Sequence, residues 1–181
     1  MIGPWDPGVV EVATRVTSIV EGRRPELNVE HIGSTAVRGL PGKGIVDLST
    51  EADPAAIPGI VSDMYELGFG PQPGPDPWPP TRPMLVGSYA LDGREYRIHL
   101  HVQPVGGDFP IDVQFRDALR ADPGLAADYA RVKGEIVGAA GGPLDGVVYQ
   151  DAKGTWIVAT LDRLGIPRPQ PSAARRQEVG S

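Results

Sequence analysis

The chain contains three histidines, and two of them, His99 and His101, stand two apart in "YRIHLHV" with Arg97 just before them. Alternate side chains of a strand share a face, so both imidazoles and the guanidinium look one way while Ile98, Leu100 and Val102 look the other. Two imidazoles placed like this can share a metal ion when neutral, or hydrogen-bond a phosphate when protonated. The plainer alternative is a pair of histidines on a half-buried sheet face. Asp47 lies in "GIVDLS", a run otherwise suited to a buried strand. A carboxylate there needs a metal, hydrogen bonds or a cation to offset its desolvation, unless it only caps a loop. Ser49 shares its face, and Glu51 is roughly 13 Å further along an extended strand, too far to hold the same ion.

Between the third histidine, His31, and Asp47 runs "GSTAVRGLPGKG". A strand ending at Gly33, with Ser34 and Thr35 opening the next segment, lets backbone N–H groups and a hydroxyl converge where a helix would begin. That is how helix N-termini hold phosphate, and it is equally how a plain N-cap is built. The P-loop spacing of glycines and Lys-Ser/Thr is absent. Further along, Arg116 in "VQFRDALRADP" and the pair Tyr149 and Lys153 in "YQDAKGTW" offer phosphate partners. Tyr149 and Lys153 are four apart and meet on one side of a helix. Each of these charges taken alone reads equally as a solvated one.

The elements that must position these residues follow from pattern. Asp6 as N-cap and Pro7 at the first helical position open a helix over 7–21, with Val9, Val12, Val16, Ile19 and Val20 at helical spacing. Leu27–Gly33 and Gly44–Ser49 read as strands, and Asp53-Pro54 opens a second helix that ends at Gly68. Seven prolines in Pro71–Pro83 exclude a central strand there. This loop carries Trp78 and immediately precedes the hairpin that carries the histidines, which places it near the site mouth. Met84–Leu91, a turn at Asp92-Gly93 and Glu95–Val102 make a β-hairpin. Helices follow over Ile111–Ala121, Pro123–Ala139 and Tyr149–Leu164. Residues 1–166 thus read as one domain, and 167–181, with its prolines and small polar residues, as a disordered tail.

Bulk properties narrow the class. A chain of 181 residues suits one domain with a real core, and 40% hydrophobic with 22% charged residues is ordinary for a soluble protein. A net charge of −6 argues against a nucleic-acid partner, which would need a basic face. There are no cysteines, so disulfides and thiolate metal sites are excluded. No secretory leader pattern and no run near the ~20 apolar residues of a membrane helix is found, so a cytoplasmic location without a membrane partner is expected.

Taken in order, "EHIGSTAVRGLPGKGIVDL", "YRIHLHV", "FRDALRADPGLAADYARVK" and "YQDAKGTWI" resemble the GrpB-like family of predicted nucleotidyltransferases, whose domain also occurs fused to dephospho-CoA kinase. The similarity runs from about Trp5 to Leu164. It implies an α+β fold, a small mixed sheet flanked by helices with further helices C-terminal. Gly33-Ser34 followed by Asp47 is similar to the arrangement in which a loop holds triphosphate and the aspartate holds Mg²⁺ or Mn²⁺. On that resemblance the chain binds ATP or another NTP and passes a nucleotidyl group to a small acceptor. His99 and His101 would complete the metal or acid–base set, Lys43, Arg116 and Lys153 would offset phosphate charge, and His31, Arg97, Tyr149 and Trp78 would stand around the site. Three departures accompany it. Ser49 stands where a second carboxylate is expected, the histidines of "HLH" stand where a third is expected on a neighbouring strand, and Lys43-Gly44 replaces the usual Lys-Pro. The competing reading is a non-catalytic module that binds a nucleotide or another anion.

Overall fold

The computed structural model describes residues 2–74, 77–139 and 146–167, the last segment by backbone alone through residue 151. In chain order it contains α1 (Gly8–Arg23), β1 (Glu30–Ile32), a 3-10 turn (Ser34–Ala36), β2 (Val46–Ala52), α2 (Ile57–Glu66), β3 (Gly70–Pro71), β4 (Met84–Leu91), β5 (Arg94–Pro104), α3 (Phe109–Ala121), α4 (Pro123–Ala139) and α5 (Gly146–Leu164). The strands form one sheet in the order β1-β2-β5-β4-β3. β2 and β5 run parallel and the other neighbours antiparallel. This is the α+β mixed sheet with C-terminal helices that the sequence implied.

Local chemistry explains most boundaries. The Asp6 carboxylate accepts the Gly8 N–H at 2.9 Å, and α1 begins at Gly8 with Pro7 in the N-cap position, one residue later than the Asp6 cap and Pro7 start expected. Asp92 and Gly93 both take positive φ, 50° and 77°, and close the β4–β5 hairpin as a two-residue turn requires. β1 is shorter than the expected Leu27–Gly33, because only Glu30, His31 and Ile32 find ladder partners, on β2. Leu27 and Val29 are buried all the same, in the core beneath the sheet. Within the proline-rich loop, Pro71 pairs with Leu85 at the sheet edge, and the described residues beyond it up to Pro83 form no strand. The tail expected from residue 167 onward lies, apart from Pro167, outside the described residues.

The two sheet faces are covered by different layers. On one, Val12, Val20, Ile60 and Met64 of α1 and α2 pack against fully buried Leu48 and Leu100. Burying each such side chain contributes about 1.5–3 kcal/mol. The other face carries the polar residues of β2 and β5, and α3 lies across it. Arg120 Nε donates to the Ala36 carbonyl at 2.9 Å and ties α3 to the 3-10 turn. A second apolar cluster, with Leu40, Leu119, Leu125 and Tyr129, joins α3 and α4 to the segment after that turn. Trp156 of α5 stacks on Tyr129 with ring centroids 5.3 Å apart.

Candidate functional site

The parallel register sets Asp47 opposite His99, Ser49 opposite His101 and Glu51 opposite Gln103. Directly opposed residues share a sheet face, so the polar side chains of both strands line up under α3. His99 Nδ1 is 3.3 Å from Asp47 Oδ1. One ligand atom each from Asp47, His99 and His101 fall within 4.8 Å of one another, close enough to hold one ion. Burial pushes the His101 imidazole down to about 4, with His99, Lys153 and Arg82 acting in the same direction and Asp47 against it. The ring is therefore neutral at pH 7, with a lone pair to offer a metal.

Gly33 is shaped to that carboxylate. Its backbone, φ 70° and ψ −170°, suits glycine alone, and a Cβ there would stand 2.6 Å from Asp47 Oδ2. Gly42 plays the same part for Ser34, since a Cβ on it would stand 2.6 Å from Ser34 Oγ. The helix expected after Gly33 is a single 3-10 turn. No helix dipole stands behind it, so any attraction for an anion here comes from local N–H groups and from lysines rather than from a helix terminus.

The remaining residues singled out in the sequence divide into those brought to this cluster and those held elsewhere. Lys153 of α5 is one of the former. Burial lowers its pKa, with Lys43 acting in the same direction and Asp47 and Asp112 against it. Lys43 itself is exposed on the loop before β2. Trp78 meets His101 edge-on at 5.3 Å, with the Arg82 guanidinium 4.6 Å from its own ring. Arg97 shares the face of His99 but is exposed, opposite Ser88 on β4. His31 lies opposite Leu48, on the other alternation. The Thr35 hydroxyl donates to the Ile45 carbonyl, so it accepts from His31 Nε2–H at 3.0 Å. Burial takes the His31 imidazole down to about 4. Arg116 is buried and already engaged, donating to Glu30 Oε2 at 2.6 Å, the His31 carbonyl at 2.9 Å and Asp117 at 2.9 Å. The structure gives it to β1 rather than to the Asp47 cluster. The Tyr149 side chain lies outside the described residues.

Two residues were not singled out in the sequence. Asp112, in the first turn of α3, accepts a hydrogen bond at 3.0 Å from Gln103, two residues beyond His101 on β5. Burial, with the charges of Asp108 and Asp47, pushes its carboxyl up to about 7. Lys133 of α4 is 2% exposed and donates to the Pro41 carbonyl. In sequence both look like surface charges of amphipathic helices. The one available signal is that Asp112 sits four residues before Arg116 on the helix face that turns toward the sheet.

Fold and site together define an α+β mixed-sheet domain with a strand-borne Asp-His-His cluster beneath a helical layer. The chain belongs to the GrpB family, described as GrpB protein, whose sequence profile matches residues 3–163. It is 31% identical over 161 residues to a UPF0157 protein of Streptomyces coelicolor, covering 83% of this chain and 75% of that one. It is 32% identical over 126 residues to a UPF0157 protein of Halalkalibacterium halodurans, 68% of this chain and only 60% of that relative's length. The crystal structure of the conserved protein GrpB from Enterococcus faecalis superposes with a TM-score of 0.62 at 20% identity, over 86% of this chain and 99% of that one, which shows a shared fold. No described helix is long and apolar enough to cross a membrane.

Proposed function

We propose that this site binds a nucleoside triphosphate, ATP or another, together with a divalent ion, and transfers a nucleotidyl group to a small acceptor. The observation that carries the reading is the junction of two parts. The Asp47 carboxylate rests on Gly33, the first residue of the Gly-Ser turn, while His99 and His101 face it from the neighbouring strand. A metal ion and a phosphate chain held there would be in contact.

The donor set fits a divalent ion. Asp47, His99 and His101 would hold it, and one carboxylate with two imidazoles suits Mn²⁺ or Zn²⁺ better than Mg²⁺, which prefers oxygen ligands. The bound ion would neutralise charge on phosphate oxygens. The chain's own residues do the rest. The Gly33–Thr35 backbone orients the phosphates, Lys153 and Lys43 offset their charge, and Trp78 beside His101 offers a ring for a base or acceptor to stack on. The acceptor's nucleophilic oxygen or nitrogen would bond to the α-phosphorus and give up its proton to solvent as the bond to the outgoing pyrophosphate breaks.

A second reading, a non-catalytic module that binds nucleotide or another anion, draws on Ser49. Its hydroxyl is buried opposite His101 and has no hydrogen-bond partner among the described residues, at the place where a second carboxylate would stand. Incubation with α-labelled and γ-labelled ATP, Mn²⁺ or Mg²⁺ and a metabolite pool separates the two. Movement of the α label into a product supports transfer, and binding without movement supports the module. Titration calorimetry with Mn²⁺ should give weak binding that is lost in Asp47→Ala. Equal affinity in both proteins removes Asp47 from the site.

A further inference from the structure

The polar face of the sheet continues past the Asp-His-His cluster. Glu95, Arg97, His99 and His101 alternate along one side of β5, and Ser88 and Val86 of β4 stand opposite Arg97 and His99. His99 and His101 are half-buried, whereas Ser88, Ala90, Glu95 and Arg97 are exposed, so the covering layer stops short of this part of the sheet. Here lies an open groove of about 530 Å³, lined by Gly68, Val86, Gly87, Ser88, Glu95 and Arg97. That volume suits a small organic ligand.

The groove carries one charge of each sign. Glu95 and Arg97 stand about 7 Å apart along the strand, and neither forms an ion pair or hydrogen bond with another described residue. Their cross-strand neighbours, Ala90 and Ser88, bring no charge. Directly opposed residues of unlike charge stabilise a sheet, so a face built for stability alone would gain from a carboxylate opposite Arg97. Small residues in those places instead leave the space open and both charges uncommitted.

Strand order gives the groove its relation to the site. The Gly-Ser turn follows β1 and meets Asp47 on β2, and the cluster spans β2 and β5. The groove lies over β5 and β4, on the far side of the cluster from the turn. Val86 joins the two, since it lines the groove and stands opposite His99. Neighbouring strands are about 4.8 Å apart, so a molecule only a few atoms long reaches from the groove to the cluster.

We propose that this groove binds the acceptor, and that the acceptor is a small zwitterion whose ammonium pairs with Glu95 and whose carboxylate pairs with Arg97. Its role as acceptor rests on the nucleotidyl-transfer reading, whereas the binding of a zwitterion does not. A guanidinium takes a carboxylate through two parallel hydrogen bonds, and the Ser88 hydroxyl opposite adds a third donor. The remaining end of the molecule runs past Val86 toward His99, while the phosphates approach the cluster from the Gly-Ser turn.

Glycyl-L-serine serves as the probe, since its termini stand about 7 Å apart when extended. N-acetyl-glycyl-L-serine lacks the ammonium, and glycyl-L-serinamide lacks the carboxylate. Titration of the isotope-labelled full chain, followed by the amide shifts in its NMR spectrum, reads both affinity and place. The expected result is shifts at Val86–Ser88 and Glu95–Arg97, with each modified probe bound roughly 5- to 10-fold more weakly than glycyl-L-serine. Arg97→Gln should bind glycyl-L-serine and its amide alike, and Glu95→Gln should bind it and its acetyl form alike. Ser88→Tyr keeps both charges, fills the groove and should abolish binding. The amide spectrum shows that each variant is folded, and if Ser88→Tyr is not, the two Gln variants decide. Absence of binding, shifts elsewhere, equal affinity for the three probes, or unchanged discrimination in either Gln variant overturns the inference. Charge-dependent binding in a chain that moves no α label upholds the groove and overturns transfer. Transfer of the α label by folded Ser88→Tyr at the wild-type rate overturns the groove as the acceptor site and leaves transfer standing.

Discussion

The two faces of the sheet are built on different principles. Beneath it, α1 and α2 bury an apolar layer in which Val12, Val20, Ile60, Leu48 and Leu100 are essentially inaccessible. Above it, the strands present Asp47, Ser49, His99, His101 and Gln103, with Asp112 of α3 bonded to Gln103, Lys153 of α5 acting on Asp47, and the cluster around Tyr129 beside them. The lower layer is satisfied by exclusion of water alone. The upper one holds charges that lack the hydrophobic effect's indifference to partner. A site of this kind needs a stiff floor and a polar ceiling, and one sheet supplies both because its strands alternate.

Breaking either layer separates their roles. Tyr129→Ala should cost about 3–5 kcal/mol and Leu100→Ala about 2–5 kcal/mol if each acts as a core residue. The residues belong to separate clusters, so the double variant should lose the sum to within about 0.5 kcal/mol. Urea unfolding of the two single variants and the double variant measures this. A large coupling would mean that the two cores are one.

A smaller effect, with a sign of its own, comes from Asp112. Its folded carboxyl is raised to about 7, so between the unfolded value near 3.9 and pH 7 the folded state holds a proton that the unfolded state has released. Its penalty is therefore absent at low pH, grows as pH rises and is complete above 7. Asp112→Asn, which still accepts from Gln103, should stabilise the protein more at pH 8 than at pH 5. The difference is at most about 2–3 kcal/mol, at about 1.4 kcal/mol per pKa unit. Tm values at the two pH values decide it, and equal shifts would place Asp112 in water rather than in the polar layer.

The smallest change in stability should come from His101→Ala, about 1 kcal/mol, with metal binding lost all the same. Binding to the wild type should fall as pH drops toward 4, where the His101 imidazole takes up a proton, because a metal competes with the proton for the same lone pair. A variant that melts far below the wild type yet binds Mn²⁺ normally would make His101 a core residue.

Much of this was readable from alternation. "YRIHLHV" and "GIVDLS" each announce one polar and one apolar face, and those faces are the ones observed. The turn at Asp92-Gly93 was legible because its backbone chemistry is local. Lys133 and Asp112 were not, since a charge on an amphipathic helix reads as solvated until the helix is packed against a partner, and that packing is tertiary. Arg116 shows the reverse. Its residue type suggested an anionic ligand, and only the fold shows that Glu30, from a strand distant in sequence, already occupies it. The 3-10 turn after Gly33 escaped for a third reason, because Ser-Thr after glycine serves equally as the opening of a long helix or of a single turn.

The parallel pairing of β2 with β5 also bears on how the molecule comes together. The β4–β5 hairpin is joined by two residues and can form on its own in about 1–10 μs. The strand carrying Asp47 must close a loop that contains α2, the proline-rich segment and β4 before it meets His99 on β5. Long-range parallel pairing of this kind is intrinsically slow. The Asp-His-His cluster thus depends on one of the slowest contacts of the fold, and an ion held by it in a newly made chain would report that the sheet is complete.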